Sequence, residues 1–294
     1  MTDLRIGVIG IPGKWSTEVL AEALETRTGF RLVVGMQDVC ADLATGKLFA
    51  GGVDLCELDG LIVKKISQQY SPGTLDRIEL LRLAENAGVR VFSRTETIIR
   101  MIDRLGCTVT LRNGGIPMPQ TVVTESRLEA VQAIRRFGIA VLKPLYSTKA
   151  RGMELVDGSI AEAGLLDAID RFRISNPMMY VQQKIELPGQ DLGMVFLGGE
   201  YLGSYARINQ TEAWNTTIHS GGRYASGRPP QGTIDLAARA QALFGMDFTT
   251  VDVAETDDGP VVFEVSAFGG FRGVKEGMGM DAAAMYADYV IREL

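Results

Sequence analysis

The sequence is poor in the features that mark several large classes of protein. Its 294 residues include three cysteines, Cys40, Cys56 and Cys107, whose scattered spacing matches no zinc motif and favours reduced thiols. The formal charge is -6 with no basic tract, and no apolar run approaches the roughly 20 residues of a membrane span. We therefore expect no nucleic-acid binding and no membrane insertion. The absence of a signal-peptide pattern at the N-terminus predicts a cytoplasmic location.

The composition that remains is that of a folded protein, with 46% hydrophobic and 22% charged residues. Residues 1–105 alternate between apolar strand-like runs and helix-like segments, which predicts a small Rossmann-like α/β module with a parallel sheet. Its strands are expected at 5–10, 58–63 and 89–92. Two helices are expected at 16–25, ending near Gly29, and at 74–86, ending before Gly88. A third is expected to begin at a capping box of Ser93 and Glu96 and to run to Leu105, where Gly106 stops it.

The rest of the chain predicts mixed α+β structure. A linker is expected at 112–121, and residues 209–232 are polar and rich in Gly and Pro, which predicts a long functional or mobile loop. Strands are expected at 139–143, 153–155, 178–185 and 201–208. Helices are expected after the capping boxes of Ser126 with Glu129 and Ser159 with Glu162, at 233–244, closed by Gly245, and from Asp281.

Residues 249–266, T-T-V-D-V-A-E-T-D-D-G-P-V-V-F-E-V-S, predict an acidic β-hairpin. The turn lies at D-D-G, and pairing Thr256 with Pro260 places Asp252 directly opposite Glu264. Facing carboxylates repel unless one is protonated or a cation lies between them. The pattern therefore indicates a hard divalent cation such as Mg²⁺, with Ser266 on the same face.

The alternative interpretation of this hairpin is an ordinary solvated strand face, because hairpins with one polar face are common. On the opposite face we expect a core, formed by the apolar side chains of Val251, Val253, Phe263 and Val265. A left-handed conformation is expected at Gly259 in the turn.

Two cations follow apolar strands, Lys143 before a loop rich in Ser, Thr, Lys and Gly, and Arg207 at the end of the run 201–208. Such a loop can present backbone N–H groups and cations to phosphates. Alone, each is equally consistent with a surface residue. Together with the acidic hairpin, they indicate a nucleotide–magnesium site. The run G-I-P-G-K-W-S-T at 10–17 lacks the spacing of a P-loop and predicts a tight turn.

The order of these features resembles the RimK-like branch of the ATP-grasp ligases over roughly residues 95–294, and more narrowly the GAK-system ATP-grasp proteins. The resemblance rests on the segments Y-V-Q-Q-K-I, P-G-Q-D-L-G, W-N-T-T-I-H-S-G-G and E-V-S-A-F-G-G-F-R-G. It implies an ATP-grasp fold, in which two α+β subdomains clamp ATP behind a Rossmann-like pre-ATP-grasp domain. The implied ranges are 1–105 for that domain, 106–186 for the small subdomain and 187–294 for the large subdomain with the hairpin.

The resemblance also assigns roles by position. Lys143 and Arg207 would be catalytic, with Arg207 stabilising the transferring phosphate. The ATP contacts would come from Arg104, Lys143, Ser147, Thr148, Lys149, Arg151, Gln183, Lys184, Ile185, Asp191 and Arg207, with 183–185 framing adenine and Asp191 holding ribose. Mg²⁺, or Mn²⁺ in its place, would face Asp252, Glu264 and Ser266. Substrate contacts would come from Asn215, Thr217, His219, Arg272 and Lys275, although a structural histidine and solvated surface cations are the alternatives.

This sequence departs from the family pattern at several of those positions. The family usually has Lys at Arg104, Glu at Gln183 and Asn at Ser266, and its phosphate loop is richer in glycine than 147–152. The chemistry implied is a ligase reaction, in which a carboxylate attacks ATP to give an acylphosphate and ADP, and an amine or thiol then displaces phosphate. The partners implied are a small-molecule, peptide or small-protein carboxylate and an amine, and the assembly implied is a dimer or tetramer. A kinase on the same fold and a non-catalytic nucleotide sensor are the alternative functions.

Overall fold

The computed structural model describes residues 3–148, 150–209, 214, 216, 218 and 221–294. Within those residues the chain forms nine α-helices and sixteen β-strands. The helices are α1 (Trp15–Thr28), α2 (Pro72–Asn86), α3 (Thr95–Ile102), α4 (Arg104–Asn113), α5 (Arg127–Phe137), α6 (Glu162–Arg173), α7 (Gln231–Ala242), α8 (Phe271–Met278) and α9 (Ala282–Glu293). The strands are β1 (Ile6–Ile9), β2 (Val33–Val34), β3 (Val39–Asp42), β4 (Lys47–Ala50), β5 (Val53–Asp54), β6 (Gly60–Val63), β7 (Arg90–Phe92), β8 (Thr121–Thr124), β9 (Ile139–Lys143), β10 (Glu154–Asp157), β11 (Met179–Gln183), β12 (Gln190–Leu197), β13 (Glu200–Ile208), β14 (Arg223–Ser226), β15 (Phe248–Thr256) and β16 (Gly259–Val265).

The N-terminal sheet is parallel, in the order β2-β1-β6-β7, as the alternation of strands and helices predicted. Every residue of β1 and β6 is buried, which is typical of parallel strands covered on both faces. Helix α1 ends where predicted, because Gly29 adopts φ +74° and its N–H donates to the carbonyl of Glu25. A small antiparallel sheet of β3, β4 and β5, which the sequence reading missed, inserts between β2 and β6.

The expected helix from Ser93 to Leu105 is wrong at both ends. Helix α3 begins at Thr95, whose N–H donates to Glu85 Oε1 at 2.9 Å, and Ser93 Oγ instead accepts from the N–H of Asp247. Gly106 does not stop a helix. It lies in the first turn of α4, where its N–H donates to the Asp103 side chain at 2.5 Å.

The sheet of the middle segment is antiparallel, in the order β10-β9-β11-β8, and α5 and α6 cover it. Ser126 caps α5 by accepting from the N–H of Glu129 at 3.3 Å, as expected. The second capping box does not form, since α6 begins at Glu162 after Ala161 and the N–H of Ser159 donates to Asp157. This segment has a separate hydrophobic core that runs from Ala130 to Val181.

The third large sheet is antiparallel, in the order β14-β13-β12-β15-β16. Strand β12 follows the P-G turn directly, and β14 lies inside the segment 209–232 that was expected to be loop throughout. Helix α8 was also not predicted, whereas α7 and α9 were. Asp281 caps α9 by accepting from the N–H groups of Ala283 and Ala284.

In the hairpin of β15 and β16, Asp252 faces Glu264 as predicted, but the strand register that brings them together differs from the predicted one. Thr256 pairs with Gly259, one residue short of the expected Pro260, and Gly259 has φ +108°. A bulge between Asp252 and Val253 then shifts the register back, so Asp252 faces Glu264.

The same bulge corrects the predicted core of the hairpin. Val251, Val253 and Val265 are buried as expected, but Val262 takes the core position that was expected for Phe263. Phe263 is the extra residue at the bulge and faces a cavity instead.

The hydrophobic cores show how the sheets are joined. Two clusters run from the N-terminal sheet into the five-stranded sheet, and α9 packs on α1 with an ion pair between Arg27 and Asp288 at 2.5 Å. The boundaries expected at 105 and 186 remain predictions, although each sheet falls within one of the three ranges. No helix in the described part of the chain is long and apolar enough to cross a membrane.

Candidate active site

A cavity of about 970 Å³ lies where the three large sheets meet. It is lined by residues from the ends of β1, β6, β9 and β11, from β12, β13, β15 and β16, and from the loops after β9 and β16. Most of the sequence-predicted site residues line it together, namely Arg104, Lys143, Ser147, Thr148, Arg151, Gln183, Lys184, Ile185, Asp191, Arg207, Asp252, Glu264, Ser266 and Arg272.

The other predicted residues are not gathered there by the described structure. Lys275 lies beside the cavity, with its Nζ 5.3 Å from the centroid of the Trp15 ring. Lys149, Asn215, Thr217 and His219 lie outside the described residues. Trp214, next to Asn215 in the chain, does line the cavity.

Arg207 lies between two buried carboxylates. Its Nε donates to Asp191 Oδ1 at 3.0 Å, its Nη2 donates to Asp191 Oδ2, and its Nη2 is 3.1 Å from Asp252 Oδ2. The side chains are 17%, 6% and 15% exposed for Arg207, Asp191 and Asp252. Thr216 Oγ1 also donates to Asp191 Oδ1, at 2.6 Å. The network is thus tightly bonded and has one more carboxylate than cation.

Burial determines the ionisation of this network. Burial raises the pKa of Asp252, the carboxylates of Glu264 and Asp191 raise it further, and Arg207 opposes the rise. Burial alone would lower the pKa of Arg207, but the carboxylates of Asp191 and Asp252 outweigh it and hold that pKa well above its ordinary value. A cation next to Asp252 would therefore relieve a real electrostatic cost.

Glu264, the other acid of the hairpin, is paired with a different arginine. Arg104 Nη1 lies 2.8 Å from Glu264 Oε2, and the Arg104 side chain is only 8% exposed. The backbone N–H of Arg104 donates to the carbonyl of Leu145 at 3.0 Å, so the start of α4 is fixed against the segment that follows Lys143. Arg104 therefore joins the hairpin to the predicted phosphate-binding segment.

Lys143 is buried at the end of β9, and its Nζ donates to Gln182 Oε1. Burial, and then the nearby charge of Arg104, lower the pKa of Lys143 to about 7, while Glu264 opposes the shift. Gln182 is itself 2% exposed and was not singled out from the sequence, which favoured its neighbour Gln183. An anion at Lys143 would stabilise the ammonium form.

The loop after β9 is held in a tight conformation. Ser147 Oγ donates to the carbonyl of Arg151 at 2.6 Å, and Gly152 has φ +69°. Ala150 has φ +57°, a left-handed conformation that costs a residue with a Cβ roughly 1–2 kcal/mol. Ala150 thus has a conformation that glycine adopts at lower cost, in the segment predicted to bind phosphate.

The predicted adenine segment begins at Gln183, the last residue of β11, and two of its backbone N–H groups are already bonded within the protein. The N–H of Gln183 donates to the carbonyl of Gln120 at 2.8 Å, and the N–H of Lys184 donates to the carbonyl of Ile139 at 2.9 Å. These two donors are therefore used by the protein itself. The side chains of Gln183, Lys184 and Ile185 still line the cavity.

The donor set of the hairpin fits Mg²⁺ better than a soft metal, because it consists of carboxylate and hydroxyl oxygens. Each ion pair engages one carboxylate oxygen, Oδ2 of Asp252 and Oε2 of Glu264, so a cation could be bound by the other oxygen of each. Among the described residues, no group of three His, Cys, Asp or Glu side chains is arranged to hold a metal. The ion would therefore need further ligands, such as phosphate oxygens and water.

Besides Gln182, sequence reasoning missed further residues of the cavity wall, among them Tyr205 and Lys64. Tyr205 is 4% exposed and its ring fills space that a side chain at Gly193 or Gly273 would occupy, and it is buried beside Arg207 and Asp252. Lys64 is 5% exposed and directly follows β6. A lysine at the carboxyl end of a parallel strand is a signal that the sequence carried, since ligands bind at that edge of such sheets.

Comparison with known proteins agrees with this fold. The model of the RimK-like ATP-grasp domain matches residues 101–290, which is well over half of the chain. The chain therefore belongs to the RimK-like ATP-grasp family. The match includes the hairpin, Lys143 and Arg207.

Curated relatives span most of the chain. It is 25% identical to the tetrahydromethanopterin:alpha-L-glutamate ligase of Methanosarcina acetivorans, over 97% of this chain and 98% of that protein. It is 27% identical to a probable alpha-L-glutamate ligase of Maridesulfovibrio salexigens, over 72% of this chain and 70% of that protein.

Solved structures share the fold. The ATP-grasp ligase PsnB complexed with minimal precursor superposes with a TM-score of 0.76 at 18% identity, over 99% of this chain and 100% of that one. The RimK domain ATP-grasp protein of Sphaerobacter thermophilus superposes with a TM-score of 0.75 at 24% identity, over 97% and 98%. The fold was thus predicted correctly as ATP-grasp.

Proposed function

We propose that this protein is an ATP-dependent carboxylate–amine ligase. A substrate carboxylate attacks the γ-phosphate of ATP to give an acylphosphate and ADP, and an amine then attacks the acyl carbon, which releases phosphate and forms an amide. The observation that carries the proposal is the convergence of Lys143, Arg207, Asp252 and Glu264 on one cavity in a RimK-like ATP-grasp chain. Such a reaction needs positioning and charge neutralisation more than a protein nucleophile.

The proposed roles follow from the surroundings of each residue. Lys143, buried and close to Arg104, would gain a counter-ion when it binds a phosphate oxygen of ATP. Arg207 would stabilise the negative charge of the phosphoryl group in transfer while it stays bonded to Asp191. Asp252 and Glu264 would bind Mg²⁺, which supplies neutralisation of phosphate charge.

The structure around the remaining residues favours some of the proposed nucleotide contacts more than others. Ser147, Thr148 and Arg151 surround the tight turn that would cradle the phosphates. Asp191 as the ribose ligand is the least supported role, because both of its oxygens are already bonded to Arg207.

The relatives named above act on glutamate, according to their names, and L-glutamate is therefore the amine we propose to test first. The carboxylate acceptor is a small molecule or a peptide. The family implies Mg²⁺ as the metal, and Mn²⁺ is expected to substitute for it because it accepts the same oxygen ligands.

The test is a calorimetric titration of ATP into the protein with and without Mg²⁺, for the wild type and for Glu264→Gln and Asp252→Asn. We expect Mg²⁺ to tighten ATP binding in the wild type, and we expect either substitution to abolish that effect because an anionic oxygen ligand is lost. Asp257→Asn is the matched control, since Asp257 is an exposed acid in the turn of the same hairpin. A loss of the Mg²⁺ effect in the control as well would mean that the hairpin acids do not bind the metal.

Turnover then separates the ligase from its alternatives. ADP and phosphate should be released only when a carboxylic acid and an amine are both present. Release of AMP and pyrophosphate would refute the acylphosphate route. A stable phosphorylated product formed without an amine would identify a kinase.

A further inference from the structure

The crevice between β1 and β6, at the edge of the active-site cavity, has the position at which open α/β sheets bind ligands. From β1 the chain proceeds to β2 on one side, and β6 pairs on the other, so the strand order reverses between β1 and β6. Ligands bind outside the carboxyl ends of the strands at such a reversal. Here those ends carry the turn 11–14 and the lysine pair Lys64 and Lys65, and both features line the cavity.

Lys64 is the central residue of this crevice. It follows β6 directly, and its backbone N–H donates to the carbonyl of Ile9 at 2.8 Å, which fixes it between the two strands. Its side chain is buried, with Nζ donating to the carbonyl of Gly269 and lying 3.9 Å from the centroid of the Phe271 ring. The N-terminal sheet is thereby joined to the glycine-rich loop that follows the metal-binding hairpin.

The charge of Lys64 is not balanced by the protein. Within the described residues no carboxylate forms an ion pair with it, and the neighbouring charge that acts on it is the cation Lys65. Burial, and then Lys65, lower the pKa of Lys64 to about 7. A buried ammonium is costly unless it is paired, so an anionic ligand would supply a missing counter-ion.

The surroundings of Lys64 suit an anion. The Nζ of Lys65 donates to the Tyr70 hydroxyl at 3.0 Å and lies over the Tyr70 ring, on the same wall of the cavity. The N-terminus of α1, a helix of 14 residues, opens into the cavity at Trp15 and Ser16, where the helix dipole is positive. The acid of its first turn, Glu18, is engaged by the N–H of Gly13 at 2.6 Å and by Arg31 at 2.6 Å.

The crevice lies close enough to the hairpin to serve the same substrate. Gly269, the partner of Lys64, is five residues beyond Glu264, and a fully extended chain covers at most about 3.6 Å per residue. The two backbones are therefore separated by no more than about 18 Å. Because Lys64, Glu264 and Gly269 line the same cavity, one organic molecule with two acidic groups can contact both places.

We propose that the β1–β6 crevice is the site for a second anionic group, a carboxylate or a phosphate, on the organic substrate, and that Lys64 pairs with it. This inference rests on the proposed ligase function, because it places one acidic group of the substrate in the crevice while the reacting carboxylate lies at the hairpin. The competing interpretation is that Lys64 has only a structural role, holding the Gly269 carbonyl.

The experiment is a calorimetric titration with three probes: glutarate, which has two carboxylates and no amine, L-glutamate, and inorganic phosphate. The proteins are the wild type, Lys64→Met, Lys64→Arg and the matched control Lys47→Met, which removes an exposed lysine on β4. We expect glutarate or phosphate to bind the wild type and Lys47→Met equally, and Lys64→Met at least tenfold more weakly. Lys64→Arg should keep part of the affinity because it keeps the charge.

The probes also identify the source of the anion. Binding of glutarate that depends on Lys64 assigns the crevice to a dicarboxylate acceptor, and dependence on Lys64 with phosphate alone assigns it to a phosphorylated one. Dependence with L-glutamate alone assigns the anion to the amine substrate. Affinities for all three probes within twofold of the wild type in Lys64→Met would overturn the proposal.

Two further measurements separate a loss of anion binding from misfolding and from a failure of the proposed ligase function. Thermal unfolding should show that Lys64→Met is as stable as the wild type, because the substitution keeps the apolar stem and removes a buried charge. The affinity for Mg²⁺–ADP should be unchanged in Lys64→Met. If no variant and no wild-type protein bound Mg²⁺–ADP, the proposed nucleotide site would be refuted. The dependence of glutarate binding on Lys64 could still be interpreted in that case.

Discussion

Arg207 offers the sharpest test of how the active site is held together. It is bonded to two carboxylates that are almost inaccessible to solvent, Asp191 through both oxygens and Asp252 at 3.1 Å. Replacing it with Met in Arg207→Met keeps most of the apolar stem and removes the guanidinium. Both carboxylates then lose their buried counter-ion.

Two estimates give the loss in free energy of unfolding that this substitution should cause. Removing one partner of a buried ion pair typically costs about 3–5 kcal/mol, because a charge is left buried and unpaired. A carboxylate can escape that cost by taking up a proton, which at pH 7 costs about 4 kcal/mol for a group of ordinary pKa. We therefore expect the free energy of unfolding to fall by about 3–4 kcal/mol in Arg207→Met at pH 7.

The measurement is urea-induced unfolding at pH 7 and again at pH 5, where protonating a carboxylate costs about 3 kcal/mol less. The difference between Arg207→Met and the wild type should accordingly shrink at pH 5. The double variant Arg207→Met with Asp191→Asn should recover part of the loss, because an asparagine can still accept from Thr216 without carrying a charge.

The control is Arg82→Met, which breaks the ion pair with Glu79 on α2, whose side chains are 56% and 52% exposed. An exposed pair of this kind contributes about 0–1 kcal/mol. A loss below about 1 kcal/mol in Arg207→Met as well would show that the network around Arg207 is not a buried ion-pair network, and would refute the electrostatic account of the site.

Three other predictions follow from single contacts. Because the folded pKa of Lys64 is about 7, this lysine binds a proton above pH 7 in the unfolded chain that it lacks in the folded chain. Lys64 should therefore add about 2 kcal/mol to the free energy of unfolding between pH 7 and 9. In urea titrations Lys64→Met should remove that contribution and leave the similar contribution of Lys143. Glu85→Ala should cost about 1 kcal/mol by removing the acceptor for the N–H of Thr95, whereas Glu79→Ala, exposed on the same helix, should be nearly neutral by the same assay. Ala150→Val should weaken Mg²⁺–ATP binding about tenfold in calorimetry, because a β-branched residue resists positive φ, whereas Ala150→Gly should leave the affinity unchanged. Equal affinities of the two variants would contradict a phosphate-binding role for the loop.

The hairpin shows how far local sequence signals determine a site. Counting outward from the D-D-G turn predicted that Asp252 faces Glu264, and this prediction is confirmed. The count was one residue off at the turn, and a bulge at Asp252 and Val253 compensates for it. A bulge depends on how the strand packs against β12, which no local pattern encodes, and for that reason the exposure of Phe263 to the cavity could not be predicted.

Most of the missed strands share a physical reason. Strand β14 is four residues long, and β3 to β5 are short and partly exposed, so none of these carries a long apolar run. Strand β12 differs, because it contains the apolar run 192–197 and was missed despite that signal. Their strand conformation is stabilised by neighbouring strands. The Gly106 error has the opposite origin, because the glycine was interpreted as a stop signal, whereas Asp103, three residues earlier, caps a new helix there.

The charges of the cavity explain why the site suits a polyanionic set of ligands in an acidic protein. The whole chain carries a formal charge of -6, yet the cavity wall has nine Lys and Arg side chains and three carboxylates. The three carboxylates are already paired, Asp191 and Asp252 with Arg207 and Glu264 with Arg104. Of the remaining cations, Lys184 is paired with Glu186 and Arg272 with Glu276, whereas Lys143 and Lys64 form no ion pair within the described residues. Positive charge that the protein does not neutralise is a cost to folding unless ligands supply the anions. The phosphates of ATP would meet that need at Lys143, and an anionic group of the substrate would meet it at Lys64.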